Sequence, residues 1–258
     1  MIDLHVIGDV DYYITEKFTP SELQLPDVDL VILTGNVGYI KKTFHYAEEL
    51  AALNPNTQFI VNLGILEVVN QKHENQMRDG LYARQLYHEH WHKNLHYKLE
   101  ESIKLTIKDR NLDILCTSGF PYIDESVSDG KEWRSNRWYK FAYHGITHDQ
   151  KYFKPKMAAD VYHGWSPIWS TPELCRKDHD REVEVISHWI ENKEEDSTQI
   201  LVSALGPKCK EYLGDTRYRM YDSVKPDYWV TGGGDSTESY ILSNPGRGSL
   251  ARNKVFTI

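Results

Sequence analysis

The sequence predicts an α/β fold, and three observations carry that prediction. Short, mainly apolar runs recur along the chain, and the first three end at or near a glycine. Two of them, at 29–34 (DLVILT) and 58–63 (QFIVNL), bracket a stretch with helical spacing at 43–53, which reads as a βαβ unit with parallel strands. The 258 residues are 40% hydrophobic and 12% aromatic, enough to build a core without disulfides or metals to hold it.

The elements follow in order. A first buried strand is expected at 4–7, a second at 29–34, then the helix at 43–53, closed by the Asn-Pro-Asn turn at 54–56. The strand at 58–63 completes the unit. Further buried strands are expected at 112–117 (LDILCT), 199–203 (QILVS) and 227–231 (DYWVT), with two more at 239–243 (SYILS) and 254–258 (KVFTI). Between them, 181–192 has helical spacing, with Val183, Ile186, Trp189 and Ile190 on one side.

Two stretches break the pattern. Residues 70–107 are polar and His-rich, with helical character toward their end; residues 124–180 are rich in Trp, Tyr, Lys and Arg and show no clear period. They read as insertions in a single domain spanning 1–258, the second as an elaborated loop over the strand ends. No internal repeat or low-complexity segment is present.

Composition narrows the function classes. Thirty Lys+Arg against 38 Asp+Glu give a formal charge of -8, which argues against long nucleic acid as a partner. No apolar run approaches the roughly 18 residues of a membrane helix, and the opening MIDLHVIGDVDYY has no basic start followed by an apolar stretch. Cys116, Cys175 and Cys209 are odd in number and widely spaced, without a zinc or disulfide pattern. A cytoplasmic, soluble protein with no membrane partner is expected.

Strand ends that deliver charged residues at tight turns are where α/β proteins place chemistry. Four such turns occur: Gly8-Asp9-Val10-Asp11, Thr34-Gly35-Asn36, Leu63-Gly64-Ile65-Leu66-Glu67 and Thr231-Gly232-Gly233-Gly234-Asp235; a fifth strand ends Ser203-Ala204-Leu205-Gly206-Pro207. In order and spacing these resemble the blocks of the calcineurin-like metallophosphoesterases: Asp-x-His, Gly-Asp, Gly-Asn-His-Asp/Glu, a strand-borne His, and Gly-His-x-His. The resemblance runs from about Val6 to Pro245 and includes PDVDLVILTG, FIVNLG, ILVSALGP and SNPGRG. It implies a four-layer α/β/β/α sandwich with two facing mixed β-sheets.

The departures from that family bear on function. Carried over position by position, Asp9 is kept, while the first block's His becomes Asp11 and the bridging Asp becomes Asn36. The Asn-His pair becomes Ile65-Leu66, the strand-borne His becomes Ala204, and the two His of the last block become Gly233 and Asp235. Two metals about 3.5–4 Å apart need several anionic or imidazole ligands and usually a bridging carboxylate. Asp9, Asp11, Asn36 and Asp235 offer oxygen alone. That set suits at most one hard cation, Mg²⁺ or Mn²⁺, rather than a dinuclear centre. Asp9 and Asp11 read equally as solvated turn carboxylates. The glycine run 232–234 reads as a flexible turn or as a phosphate cradle.

Two other features stand out. In the run Tyr87-His88-Glu89-His90-Trp91-His92-Lys93-Asn94-Leu95-His96, a helix would align His88, His92 and His96 on one face, as a solvated face, an oligomer contact or a zinc site. In the second insertion, Lys131, Trp133, Arg134, Arg137, Trp138, Tyr139 and Lys140 interleave basic and aromatic residues, and four of the seven tryptophans fall between Trp133 and Trp169. This is a satellite core or a recognition surface, with Arg134, Arg137 and Arg247 as candidate binding residues.

The sequence therefore points first to a catalytically degenerate metallophosphoesterase-like protein, a pseudoenzyme that binds a protein partner or self-associates, with no cofactor expected. Two alternatives stand beside it. One is a divalent-metal-dependent phosphoesterase with a rebuilt oxygen-ligand site. The other is a nucleotide or single-stranded nucleic-acid binding module.

Overall fold

Apolar runs too short for helices can bury both faces only as strands inside a sheet. In a computed structural model of the chain they do so. The structure describes residues 1–8, 19–21, 23, 25–35, 37, 40–63, 92–117, 172–205, 225–233, 239–243 and 255–258. In chain order these form β1 (Asp3–Ile7), β2 (Leu30–Leu33), α1 (Ile40–Leu53), β3 (Gln58–Asn62), β4 (Leu95–Lys98), β5 (Glu101–Ile107) and β6 (Arg110–Thr117). They continue with α2 (Pro172–Glu191), β7 (Ser197–Leu205), β8 (Tyr228–Gly233), β9 (Ile241–Ser243) and β10 (Val255–Thr257). Each strand and helix expected from apolar spacing is present.

Among the described residues the strands form two mixed five-stranded sheets. The first has the order β10-β1-β2-β3-β4, the second β5-β6-β7-β8-β9. Each is parallel except at one edge: β10 is antiparallel to β1, and β5 to β6. The period of two along each strand divides the core. Leu4, Val6, Leu30, Ile32 and Ile60 of the first sheet meet Leu112, Ile114, Cys116, Ile200, Val202 and Val230 of the second in one buried cluster. The alternate residues Val31, Leu33, Phe59, Val61, Leu115, Leu201 and Trp229 face away and are covered in turn.

The helices cover those outward faces. Phe44, Ala47, Leu50 and Ala51 put a single buried stripe of α1 against the first sheet, while Ile186 and Trp189 of α2, flanked by Val183 and Ile190, pack beside the second. The last turn of α1 is capped from a distance. The buried Asn94 amide donates to the carbonyls of Ala51, Asn54 and Thr57, at 3.3, 3.2 and 2.9 Å, satisfying carbonyls that the helix leaves open.

Two details correct the sequence reading. The polar stretch ending at 107, read as helical toward its end, forms β4 and β5 instead, because Leu95 and Tyr97 alternate with His96 and Lys98 and pair in parallel register with Phe59–Asn62. The helix expected at 181–192 begins earlier, at Pro172, where the missing N–H costs nothing in a first turn. Its charged first half hides the apolar period.

The amino ends of the strands are tied by charge. Asp29 accepts the Asp3 backbone N–H and faces Lys108, both at 2.8 Å, joining the first sheet to the β5–β6 turn of the second. That turn has two left-handed residues, Lys108 and Asp109, the geometry of a two-residue hairpin of the primed type. Burial pushes the Asp29 carboxyl up, but Lys108 and the Asp3 N–H outweigh it and hold it below its ordinary value.

Candidate functional site

Parallel strands deliver their carboxyl ends to one edge, and in this chain the two sheets touch there. Gly8 follows β1 and Gly232 lies in β8, one from each sheet. A Cβ on Gly8 would stand 2.4 Å from the Gly232 Cα and 2.5 Å from Thr34 Oγ1. On Gly232 it would stand 2.2 Å from Thr34 Oγ1 and 3.1 Å from the Gly8 Cα. Neither position has room for any side chain, so backbone meets backbone with Thr34 wedged beside them. Thr34 is itself fixed, its N–H donating to the Ile7 carbonyl at 2.9 Å. The next residue, Gly35, has φ 99°, a left-handed bend that glycine adopts freely as the chain leaves β2.

Asn62, the last residue of β3, ties the same edge together. Its side-chain N–H₂ donates to the Thr34 carbonyl at 3.2 Å and to the Thr117 carbonyl of the other sheet at 2.9 Å. Two carbonyls facing one amide group fix which atom is nitrogen. Among the described residues the Oδ1 is buried with no hydrogen-bond partner. A fully buried Asn whose amine bridges two sheets is a staple, and breaking it would orphan two carbonyls.

The second sheet ends in a row of hydroxyls. Thr117, Ser203, Thr231 and Ser243 are all buried and stand in direct register across β6, β7, β8 and β9. The Trp229 indole N–H donates to Ser203 Oγ at 2.8 Å. In each of these strands the hydroxyl residue directly follows a buried apolar stretch: Ile114–Cys116, Ile200–Val202, Trp229–Val230 and Ile241–Leu242. Lys98 and Glu101, 3.4 Å apart, form the ion pair at the β4–β5 crossing. Cys116 faces the inter-sheet core, where burial pushes its thiol far above the usual range; it is inert as a nucleophile.

The expected ligand residues Asp9, Asp11, Asn36 and Asp235 lie outside the described residues, as do Arg134, Arg137, Arg247 and the tryptophan-rich segment at 133–169. The structure does describe the residues that precede them. Gly8, Gly35 and Gly233 stand immediately before Asp9, Asn36 and the Gly234-Asp235 pair in the sequence. Ala204 lies within β7. Among the described residues no three His, Cys, Asp or Glu side chains gather as a metal site.

The helical histidine face is corrected. His88 lies outside the described residues, His92 is in no helix, and His96 is in β4, its ring 3.1 Å from Gln58 Oε1 across the strand pair. Pairing with β3 overrides the i, i+4 spacing. What sequence reading missed is the staple and the hydroxyl row, although a signal existed. The runs LDILCT, QILVS, DYWVT and SYILS each finish on Ser or Thr, and QFIVN on Asn.

No family model matches the chain. No curated protein matches it either. A solved structure does: the phosphopantetheinyl hydrolase of Mycobacterium tuberculosis superposes over 97% of this chain and 92% of its own, with a TM-score of 0.56 and 12% identity. The likeness is one of fold. No helix among the described residues is long and apolar enough to cross a membrane.

Proposed function

We propose that this chain is a calcineurin-like metallophosphoesterase sandwich, layered helix, sheet, sheet, helix, whose metal site has eroded. It acts by binding, as a structural or assembly protein. The observation that carries the reading is the contact of Gly8, Thr34 and Gly232. It gathers the ends of β1, β2 and β8, so the residues next in sequence define what the edge can hold. They are Asp9, Asp11, Asn36 and Asp235, with Ala204 and Gly233 contributing no donor.

This donor set does not fit a dinuclear centre. It lacks imidazole, and its bridging position is a neutral amide. At most it would hold one hard cation loosely through oxygen, Mg²⁺ or Mn²⁺, with Asp9, Asp11 and Asp235 supplying charge. The test is release of p-nitrophenol from bis(p-nitrophenyl) phosphate with Mn²⁺ or Mg²⁺, comparing the full chain with Asp9→Ala/Asp235→Ala. The expected result is no metal-dependent turnover that the double variant removes, together with self-association or a stable protein complex in light scattering at physiological salt. Turnover abolished by the double variant overturns the reading.

One observation favours a second reading. The solved structure that shares this fold over nearly the full chain is named as a hydrolase. In that reading the chain is a phosphoesterase with one oxygen-held cation, which would polarise the phosphate when bound. Arg134, Arg137 or Arg247 would supply the remaining positive charge.

A further inference from the structure

At the amino ends of the second sheet, opposite the glycine contact, residues of that sheet and of β10 line an open groove of about 880 Å³. This volume lies within the range of about 300–1,000 Å³ typical of small-molecule sites. Three of its lining residues are charged: Arg110, Lys193 and Asp227. Asp227 is fully engaged. Lys193 Nζ donates to both its oxygens, at 2.8 and 2.6 Å, and the Gln199 backbone N–H donates to Oδ2 at 2.8 Å.

Arg110 is placed differently. Among the described residues its guanidinium makes one hydrogen bond, to Thr198 Oγ1 at 3.3 Å, and faces no carboxylate. Its fork therefore retains donors in a geometry suited to phosphate or carboxylate. The groove has a net positive wall on a chain of charge -8. Hydroxyls of Ser197, Ser239 and Thr257 line it, and Tyr228, Tyr240 and Phe256, each partly buried against the core, supply its aromatic surface.

We propose that this groove is a binding site for a small phosphate monoester bearing an aromatic ring, of mononucleotide size. Arg110 holds the phosphate and the three aromatic side chains hold the ring. The site is independent of the carboxyl-edge residues and of the function proposed for them.

Titration calorimetry of the full chain with AMP, adenosine and inorganic phosphate tests this. AMP is expected to bind, and adenosine and phosphate each to bind about tenfold or more weaker, because each offers half of the recognised chemistry. Arg110→Ala and Arg110→Gln are expected to weaken AMP binding by about tenfold or more, while Asp9→Ala/Asp235→Ala leaves it unchanged. The Gln variant keeps a donor for Thr198, and circular dichroism of both variants establishes that they fold. Absence of AMP binding at millimolar concentration, wild-type affinity in a folded Arg110 variant, or loss of binding in the Asp9/Asp235 variant would each overturn the proposal.

Discussion

The two ends of the strands are built on opposite principles. At the amino ends the sheets are joined by charge: Asp29 with Lys108 between the sheets, and Lys193 with Asp227 and Lys104 with Glu194 around the second. At the carboxyl ends they are joined by contact: Gly8 on Gly232, Thr34 beside them, and the neutral Asn62 amide spanning the gap. Exposed ion pairs contribute little and tolerate change. Close-packed backbone and buried hydrogen bonds do not. The carboxyl edge is thus fixed by shape rather than by charge.

The largest expected effect comes from filling the contact. Gly8→Ala should destabilise by about 2–4 kcal/mol, since its methyl meets the Gly232 backbone and nothing there can yield. Gly232→Ala should cost less when combined with Thr34→Ala, because its main obstacle is the Thr34 hydroxyl. Thr34→Ala should not rescue Gly8→Ala to the same degree. Urea unfolding of the single and double variants checks this, and the coupling to Thr34 appears as a larger non-additivity in the Gly232 cycle than in the Gly8 cycle.

Next in size is the staple. Asn62→Leu removes both donors and strands the Thr34 and Thr117 carbonyls, at a cost of about 1–3 kcal/mol. Hydrogen exchange should rise at the ends of β2 and β6 before the amino ends respond. Exchange rising equally at both ends would break the contrast drawn above.

The smallest effect is at the amino end and depends on pH. The Asp29 carboxyl titrates below its ordinary value of 3.8 in the folded chain. Its contribution is therefore complete above that value and is lost as pH falls through the lower, folded one. Asp29→Asn should accordingly lose less stability than wild type on acidification below pH 3.8, as acid titration of the thermal midpoint would show. Lys108, with its proton held more tightly by Asp29, sets the opposite limit: the pair weakens only as pH rises through its raised value, above 10.5.

Much of this fold is legible in the sequence because buried parallel strands are written as short, mainly apolar runs. DLVILT, QFIVNL, LDILCT and DYWVT could not satisfy both faces in any other way. The β4 strand was hidden for the reverse reason. LHYK lies at a sheet edge, its alternation is only four residues long, and histidines four apart imitate a helix face. The start of α2 was obscured by the charged run CRKDHDRE.

At the site, glycines at strand ends were legible as turns, but their role as an inter-sheet contact was not. That role depends on two residues 224 positions apart in the sequence meeting across a core. The Asn62 bridge is equally non-local. Arg110 carries no motif, and only the pairing of Asp227 with Lys193 and Gln199 shows it to be the uncompensated charge among the described residues of the groove.

Under the proposed function the carboxyl edge keeps its fold and holds no metal centre. Mn²⁺ titration calorimetry of the full chain, beside Asp9→Ala/Asp235→Ala, tests it most directly. The account predicts no binding tighter than millimolar and the same isotherm for both proteins. Micromolar binding of one or two equivalents, lost in the double variant, would contradict it.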